Sequence, residues 1–218
     1  MMRRAPWPQA AFTLVELMIA IAVVAVVLVL AAPSFRELIE MQRLRSVNAQ
    51  LVTDLQFARA EAASRQTPVV LKLSVTGGAP ARSCYSIYTC SDPNFNAVAC
   101  NCDCLNGAGN ACGGSANARE VRTVVIPAST GVEIGQPPPH MGSTPEVRFD
   151  PLTGGVQALT VDSDQGLIPM PWTGVIDTRL LRDTTITLRT IVGLSGRPSV
   201  CAPLTAVSGF QTACAANN

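Results

Sequence analysis

The chain has 218 residues, with 16 Lys+Arg against 15 Asp+Glu and a formal net charge of +1. So even a balance excludes bulk charge as a reason to bind nucleic acid or an acidic partner. A composition that is 48% hydrophobic and 14% charged excludes wholesale disorder, and a single His, His140, excludes a His-rich metal site.

From Phe12 to Ala32 the only charged residue is Glu16. At about 1.5 Å per residue, a helix of this length spans roughly 30 Å, the thickness of a bilayer core. Arg3 and Arg4 precede the run and the next cation is Arg36, which predicts a cytoplasmic N-terminus and an exported remainder. A secretory signal peptide would be cut after Leu30-Ala31-Ala32, but Pro33 follows directly and Glu16 interrupts the apolar segment. A plain anchor has no use for Glu16 either. An intramembrane carboxylate costs about 2–3 kcal/mol or more and points to function.

The stretch Ala11-Phe12-Thr13-Leu14-Val15-Glu16-Leu17-Met18-Ile19-Ala20 resembles the class III signal of type IV pilins and type II secretion pseudopilins. The resemblance implies that a prepilin peptidase removes residues 1–11, that Phe12 becomes the N-methylated first residue, and that the apolar helix is kept. Ala11 stands where the family usually carries Gly. Glu16 is then the fifth mature residue. Its carboxylate would pair with the Phe12 amine of a neighbouring subunit, so that neither charge is buried alone and axial register is set. Near a helix start, the dipole also favours an incidental Glu.

Helical periodicity continues through Phe35, Leu38, Ile39, Leu44, Val47, Leu51, Leu55, Ala58 and Ala62. Arg36, Glu37, Glu40, Arg43, Arg45, Gln50, Asp54 and Arg59 fall largely between them and are expected on the solvent side. One helix from Phe12 to about Ser64 is predicted: residues 12–32 as a transmembrane or filament-core part, and residues 33–66 as an amphipathic part covering a sheet. Pro33 is expected to kink it or to mark a boundary between two helices. The same proline position recurs in pilins, which assigns Pro33 to assembly.

After Thr67-Pro68 the chain turns β-rich. Strands are predicted at Val69–Val75, Cys84–Thr89, Val121–Ile126, Val147–Phe149, Val156–Val161 and Thr184–Val192. Partial alternation in the first and last suggests half-covered strands. Pro137-Pro138-Pro139 reads as a stiff extended segment. The order defines an α+β fold, a long N-terminal α-helix packed on an antiparallel β-sheet domain at 67–218. Phe149-Asp150-Pro151-Leu152-Thr153-Gly154 and, later, Ser195-Gly196-Arg197 resemble the GspH/FimT family of minor pilins and H-type minor pseudopilins.

Eight cysteines in an exported domain read as disulfides. Cys201 and Cys214 are expected to pair. Cys84, Cys90, Cys100, Cys102, Cys104 and Cys112 would staple a Cys-rich loop over 84–119, their connectivity open among fifteen possibilities. The one-residue gaps in Cys100-x-Cys102-x-Cys104 are unusual for zinc, so no metal is expected. Asp162-x-Asp164-x-Gly166 begins like a calcium loop, but Thr173 stands where the late carboxylate belongs. His140 has no nucleophile elbow to serve, and no Lys-bearing phosphate loop is present. The chain therefore reads as a non-enzyme without a cofactor.

Some relatives of the pilus class bind DNA through a C-terminal Gly-Arg-x-Arg, matched here by Gly196-Arg197-Pro198-Ser199 without the second Arg. Arg179, Arg182, Arg189 and Arg197 form the candidate DNA-binding set, and two to four cations would bind phosphate weakly and salt-dependently. The resemblance implies a minor pilin in the initiating or tip complex of a type IV pilus, contributing to adhesion or DNA uptake. It implies other pilins and minor pilins as partners through the N-terminal helix, and residence in the inner membrane before assembly, with a periplasmic C-terminal domain. The alternatives are an H-type minor pseudopilin of type II secretion and a membrane-anchored periplasmic binding domain that never polymerises.

Overall fold

The computed structural model describes residues 13–76, 82–92, 100–137, 146–162, 166–171, 174–212 and 214, with backbone alone at 30–34, 82, 157–162 and 166–171. It divides into two units, Met1–Ile39 and Glu40–Asn218, each described by itself below.

Helix α1 runs from Leu14 to Arg65. Its helical backbone continues through Pro33, so the alternative of two helices meeting there is not what forms; the Pro33 side chain lies outside the described residues. The helix ends where Gln66 takes a left-handed φ of 51° and Pro68 follows, which stops the hydrogen-bond ladder.

In the second unit, ten antiparallel strands form two sheets rather than the single sheet expected. They are β1 (Val69–Thr76), β2 (Arg82–Cys90), β3 (Ala118–Ile126), β4 (Val132–Gly135), β5 (Glu146–Phe149), β6 (Val156–Asp162), β7 (Gly166–Pro171), β8 (Gly174–Leu180), β9 (Thr187–Val192) and β10 (Pro198–Cys201). The larger sheet has the order β3-β2-β1-β5-β6-β7 and the smaller β10-β9-β8-β4. Strands β4, β7, β8 and β10 escape a reading by alternation. Two are only four residues long, β7 holds two prolines, and β8 carries Asp177 and Arg179 in mid-strand.

Both sheets bury their inner faces on one face of α1. Leu51, Leu55, Ala58 and Ala62 join Leu71, Leu73, Ile87, Ile134, Phe149 and Ile176 in the main core. Leu44 packs with Val132, Leu180 and Leu188 in a second cluster. At about 1.5–3 kcal/mol per fully buried Leu or Ile, this helix face is the main apolar support of the domain. Two polar residues sit inside it. Asn48, 2% exposed, donates from Nδ2 to Thr178 Oγ1 of β8 at 3.2 Å and to Thr190 Oγ1 of β9 at 2.9 Å. Asp54, expected on the solvent side, is 1% exposed. It accepts from Tyr85 Oη at 2.6 Å and from Arg122 Nη1 at 2.7 Å, on β2 and β3. A buried carboxylate is tolerable only with such partners.

Strand β1 is covered on both faces, not one. Val70 is fully buried with Tyr88, Cys90, Cys100 and Cys102 on the face away from the helix. Cys84 and Cys90 are six residues apart on β2, so strand periodicity puts both on that outer face. There the disulfides Cys84–Cys104 and Cys90–Cys100 fasten the loop, and Cys102–Cys112 cross-links it internally. The predicted loop at 84–119 is thus shorter than expected, because both ends belong to strands. Inside it, Asp103 caps a short 3-10 turn at Cys104–Asn106 through a bond to Leu105 N. Cys201 and Cys214 pair as expected, and no described cysteine is free.

Burial pushes the pKa of Tyr85 well above the ordinary value, and the bond to Asp54 adds to it. Burial does the same for Tyr88, beside Glu146. Below about pH 10 both tyrosines are protonated folded or unfolded; above it only the unfolded chain releases the protons. Stability is therefore expected to fall above about pH 10, by up to about 1.4 kcal/mol per pH unit for each tyrosine. Denaturant titrations from pH 8 to 11 should show this slope in the wild type and its loss in Tyr85→Phe/Tyr88→Phe. Tyr85→Phe alone, by taking one partner from Asp54, should cost about 1–3 kcal/mol at neutral pH.

Candidate functional site

The first site is the helix within the Met1–Ile39 unit. Thr13 begins it as a cap: its Oγ1 accepts the Glu16 backbone N–H at 3.2 Å. The pattern Thr13-x-x-Glu16 is the sequence signature of this cap, and a reading centred on Phe12 and Glu16 passes over it. Leu14, Val15, Leu17, Met18, Ile19, Ile21, Val23, Val24 and Val26–Val29 are all exposed, between 56% and 74%. Phe35, Leu38 and Ile39 are also more than half exposed. Apolar residues thus face outward on every side, and a helix of this kind needs an apolar environment all round. Within it the Glu16 carboxylate has no hydrogen-bond or ion-pair partner among the described residues. Among those residues no helix is both long and apolar enough to cross a membrane. The described apolar side chains stop at Val29, and those of residues 30–32, which complete the predicted span, lie outside them. Ala11 and Phe12 also lie outside the described residues, as do His140, Asp164 and Thr173 and the side chain of Asp162.

The second candidate, the arginine set, proves to be mostly structural. Arg179 on β8 faces Glu133 on β4 across the ladder, with Nη2 3.3 Å from the carboxylate. Arg189 on β9 faces Asp177 on β8 and grips it with two bonds of 2.7 and 2.9 Å. Opposite charges directly across a sheet are natural partners, and each neutralises a cation the DNA reading counted as free. Arg182 lies 3.6 Å from Glu40. Of these four, only Arg197 is exposed with no side-chain partner among the described residues. The expected patch of two to four phosphate-binding cations is thereby reduced to Arg197 and the loosely paired Arg182.

Arg197 instead belongs to a cleft of about 590 Å³ between α1 and two turns. The turns are the two segments that carry the family resemblance. In the first, Asp150 accepts from Leu152 N, Thr153 N and Thr153 Oγ1 at 2.8–3.0 Å. Partial burial pushes the Asp150 carboxyl up, but these bonds outweigh it and hold the pKa below the usual value. In the second, Leu194 O accepts Val156 N at 3.1 Å, which ties the two turns together. Arg59 of α1, expected on the solvent side, donates from Nε to Gly154 O at 2.9 Å and clamps both turns to the helix. Glycine is required at 196: φ is +71°, and a Cβ there would stand 2.2 Å from Gly154 O and 3.3 Å from the Arg59 side chain.

An N-terminal apolar helix, a two-sheet domain built on its second half, and these two turns define a pilin-like subunit. Residues 8–32 match the prokaryotic N-terminal methylation motif, and residues 48–170, more than half of the chain, match the family described as type II transport protein GspH. The chain belongs to the GspH family. No curated protein and no solved structure gave a significant match.

Gly196→Ala should destabilise the domain by about 2–3 kcal/mol, since it adds left-handed strain to a clash with backbone. Urea melts of the two proteins would measure it. Ser195→Ala, one residue away and outside the contact, should stay within about 0.5 kcal/mol of wild type.

Proposed function

We propose that the protein is a minor pilin of a type IV pilus, cut by a prepilin peptidase between Ala11 and Phe12 and built into the initiating or tip complex of the filament. It works as a structural subunit and not as an enzyme. Before assembly the N-terminal helix anchors it in the inner membrane, with the Glu40–Asn218 unit in the periplasm. The observation that carries this reading is the pairing of an all-round apolar helix with a lone carboxylate. Lipid satisfies the apolar surface but leaves Glu16 costly. Packing among like helices satisfies both, because each Glu16 meets the new amine of a neighbouring Phe12. Two disulfides that hold a polar loop on the outer sheet face, and a third within the loop, suit a surface exposed outside the cell.

A second reading, an H-type minor pseudopilin, is favoured by the match to type II transport protein GspH over residues 48–170. It keeps every assembly step and changes the machine. Deleting the gene should abolish surface pili under the first reading, and release of secreted proteins under the second.

Two measurements test assembly itself. Mass spectrometry of the mature protein should find a chain beginning with methylated Phe12; a start at Met1 or Pro33 would refute the scheme. Glu16→Ala should reduce incorporation into filaments about tenfold or more, as a loss above 1.4 kcal/mol requires. Unchanged incorporation would overturn the role given to Glu16, and a wild-type protein absent from filaments whose function survives Glu16→Ala would favour a tethered domain that never polymerises.

A further inference from the structure

We propose that the cleft between α1 and the two turns binds an acidic peptide segment of a partner protein, taking a Glu or Asp side chain on Arg59 and Arg197 and an adjacent apolar residue on Leu152. The inference stands apart from the filament reading, since it concerns the Glu40–Asn218 unit alone.

Four features of the cleft lead to this ligand. First, no acidic residue lines it, whereas two arginines do. Arg59 uses Nε on Gly154 O, and its two terminal nitrogens have no partner among the described residues. Held at one end by the clamp, its guanidinium is presented in a fixed direction, which lowers the entropy cost of a bidentate carboxylate contact. Second, the cleft also offers apolar surface beside the polar Gln56 and Thr153: Ala60 and Ala63 on the helix, Pro198, and Leu152, which is 90% exposed. An exposed leucine beside two cations fits a peptide that offers an acid and an apolar side chain together.

Third, the glycine amides at the cleft are spent. Gly154 N donates to Asp150 O at 2.9 Å, Gly155 N to Thr153 Oγ1 at 3.1 Å and Gly196 N to Gly193 O at 2.8 Å. A chain-terminal carboxylate or a phosphate is typically captured by a nest of free N–H groups, and none is offered at these glycines. A side-chain carboxylate needs only the guanidinium fork. Fourth, nucleic acid fits poorly. Its affinity comes from cations spaced along a backbone, but Arg179 and Arg189 of the smaller sheet are locked to Glu133 and Asp177.

The test uses the full chain in detergent micelles, with the arginine Nε–H resonances followed by NMR. Acetyl-Ala-Glu-Leu-amide should shift Arg59 and Arg197 saturably with a Kd near 1 mM, a typical strength for one charged contact with one apolar neighbour. Acetyl-Ala-Gln-Leu-amide should bind about tenfold more weakly. Arg197→Ala, an exposed substitution, should weaken the Glu peptide about tenfold and leave the rest of the spectrum unchanged, and Arg197→Lys should recover part of the loss. Equal binding of the Gln peptide would overturn the proposal, as would no saturation by about 10 mM. So would tighter binding of acetyl-Ala-Leu with a free terminus, of inorganic phosphate, or of oligothymidylate, which would assign the cleft to those ligands. Filament incorporation of Glu16→Ala is read separately, so either idea can fail alone.

Discussion

Asp54 is a carboxylate in the centre of an apolar helix face, and its partners arrive from two different strands. Tyr85 reaches it from β2 and Arg122 from β3, while six residues earlier Asn48 binds β8 and β9. Apolar contacts alone would let the helix slide or rotate over the sheets at little cost, because one leucine replaces another. A buried carboxylate does not slide: any shift leaves it unpaired in a medium of low dielectric. These two residues fix the helix to both sheets, and the two sheets depend on that helix for their common core.

Glu16 presents the same chemistry with the opposite outcome. It sits on the same helix among equally apolar neighbours, yet has no partner among the described residues. Asp54 is satisfied within the chain, whereas Glu16 is not satisfied by any described residue. The contrast divides α1 into a part that stabilises the domain and a part that serves association. Membership of the GspH family gives that second part its context.

The Cys-rich loop and the Arg59 cleft show how covalent and glycine constraints substitute for core. The loop has little hydrophobic surface, so it cannot collapse on its own account. Two disulfides to β2 hold it against Val70 and Tyr88, and so give the larger sheet a second covered face. At the cleft, Gly154 and Gly196 let two turns approach to within contact of one arginine. Side chains there would push the turns apart and remove the wall that Arg197 occupies.

The amino-acid order by itself determined the long helix, its change from apolar to amphipathic near residue 33, and the isolation of Glu16 in an apolar run, because these rest on local periodicity. It also carried the family signature and the pairing of Cys201 with Cys214. It did not reveal that Asp54 is buried or that Arg59 is half-buried against a turn, since a charged residue between apolar positions looks solvent-facing until segments some 30 to 95 residues away supply its partners. Nor could it separate free arginines from paired ones: Arg179 and Arg189 were legible as cations, but their neutralisation depends on which residue lies opposite in the ladder. Strands β4, β7, β8 and β10 were hidden by their shortness, their prolines or their mid-strand charges. Pairing, burial and charge compensation are set between distant segments, and only the folded chain brings those segments together.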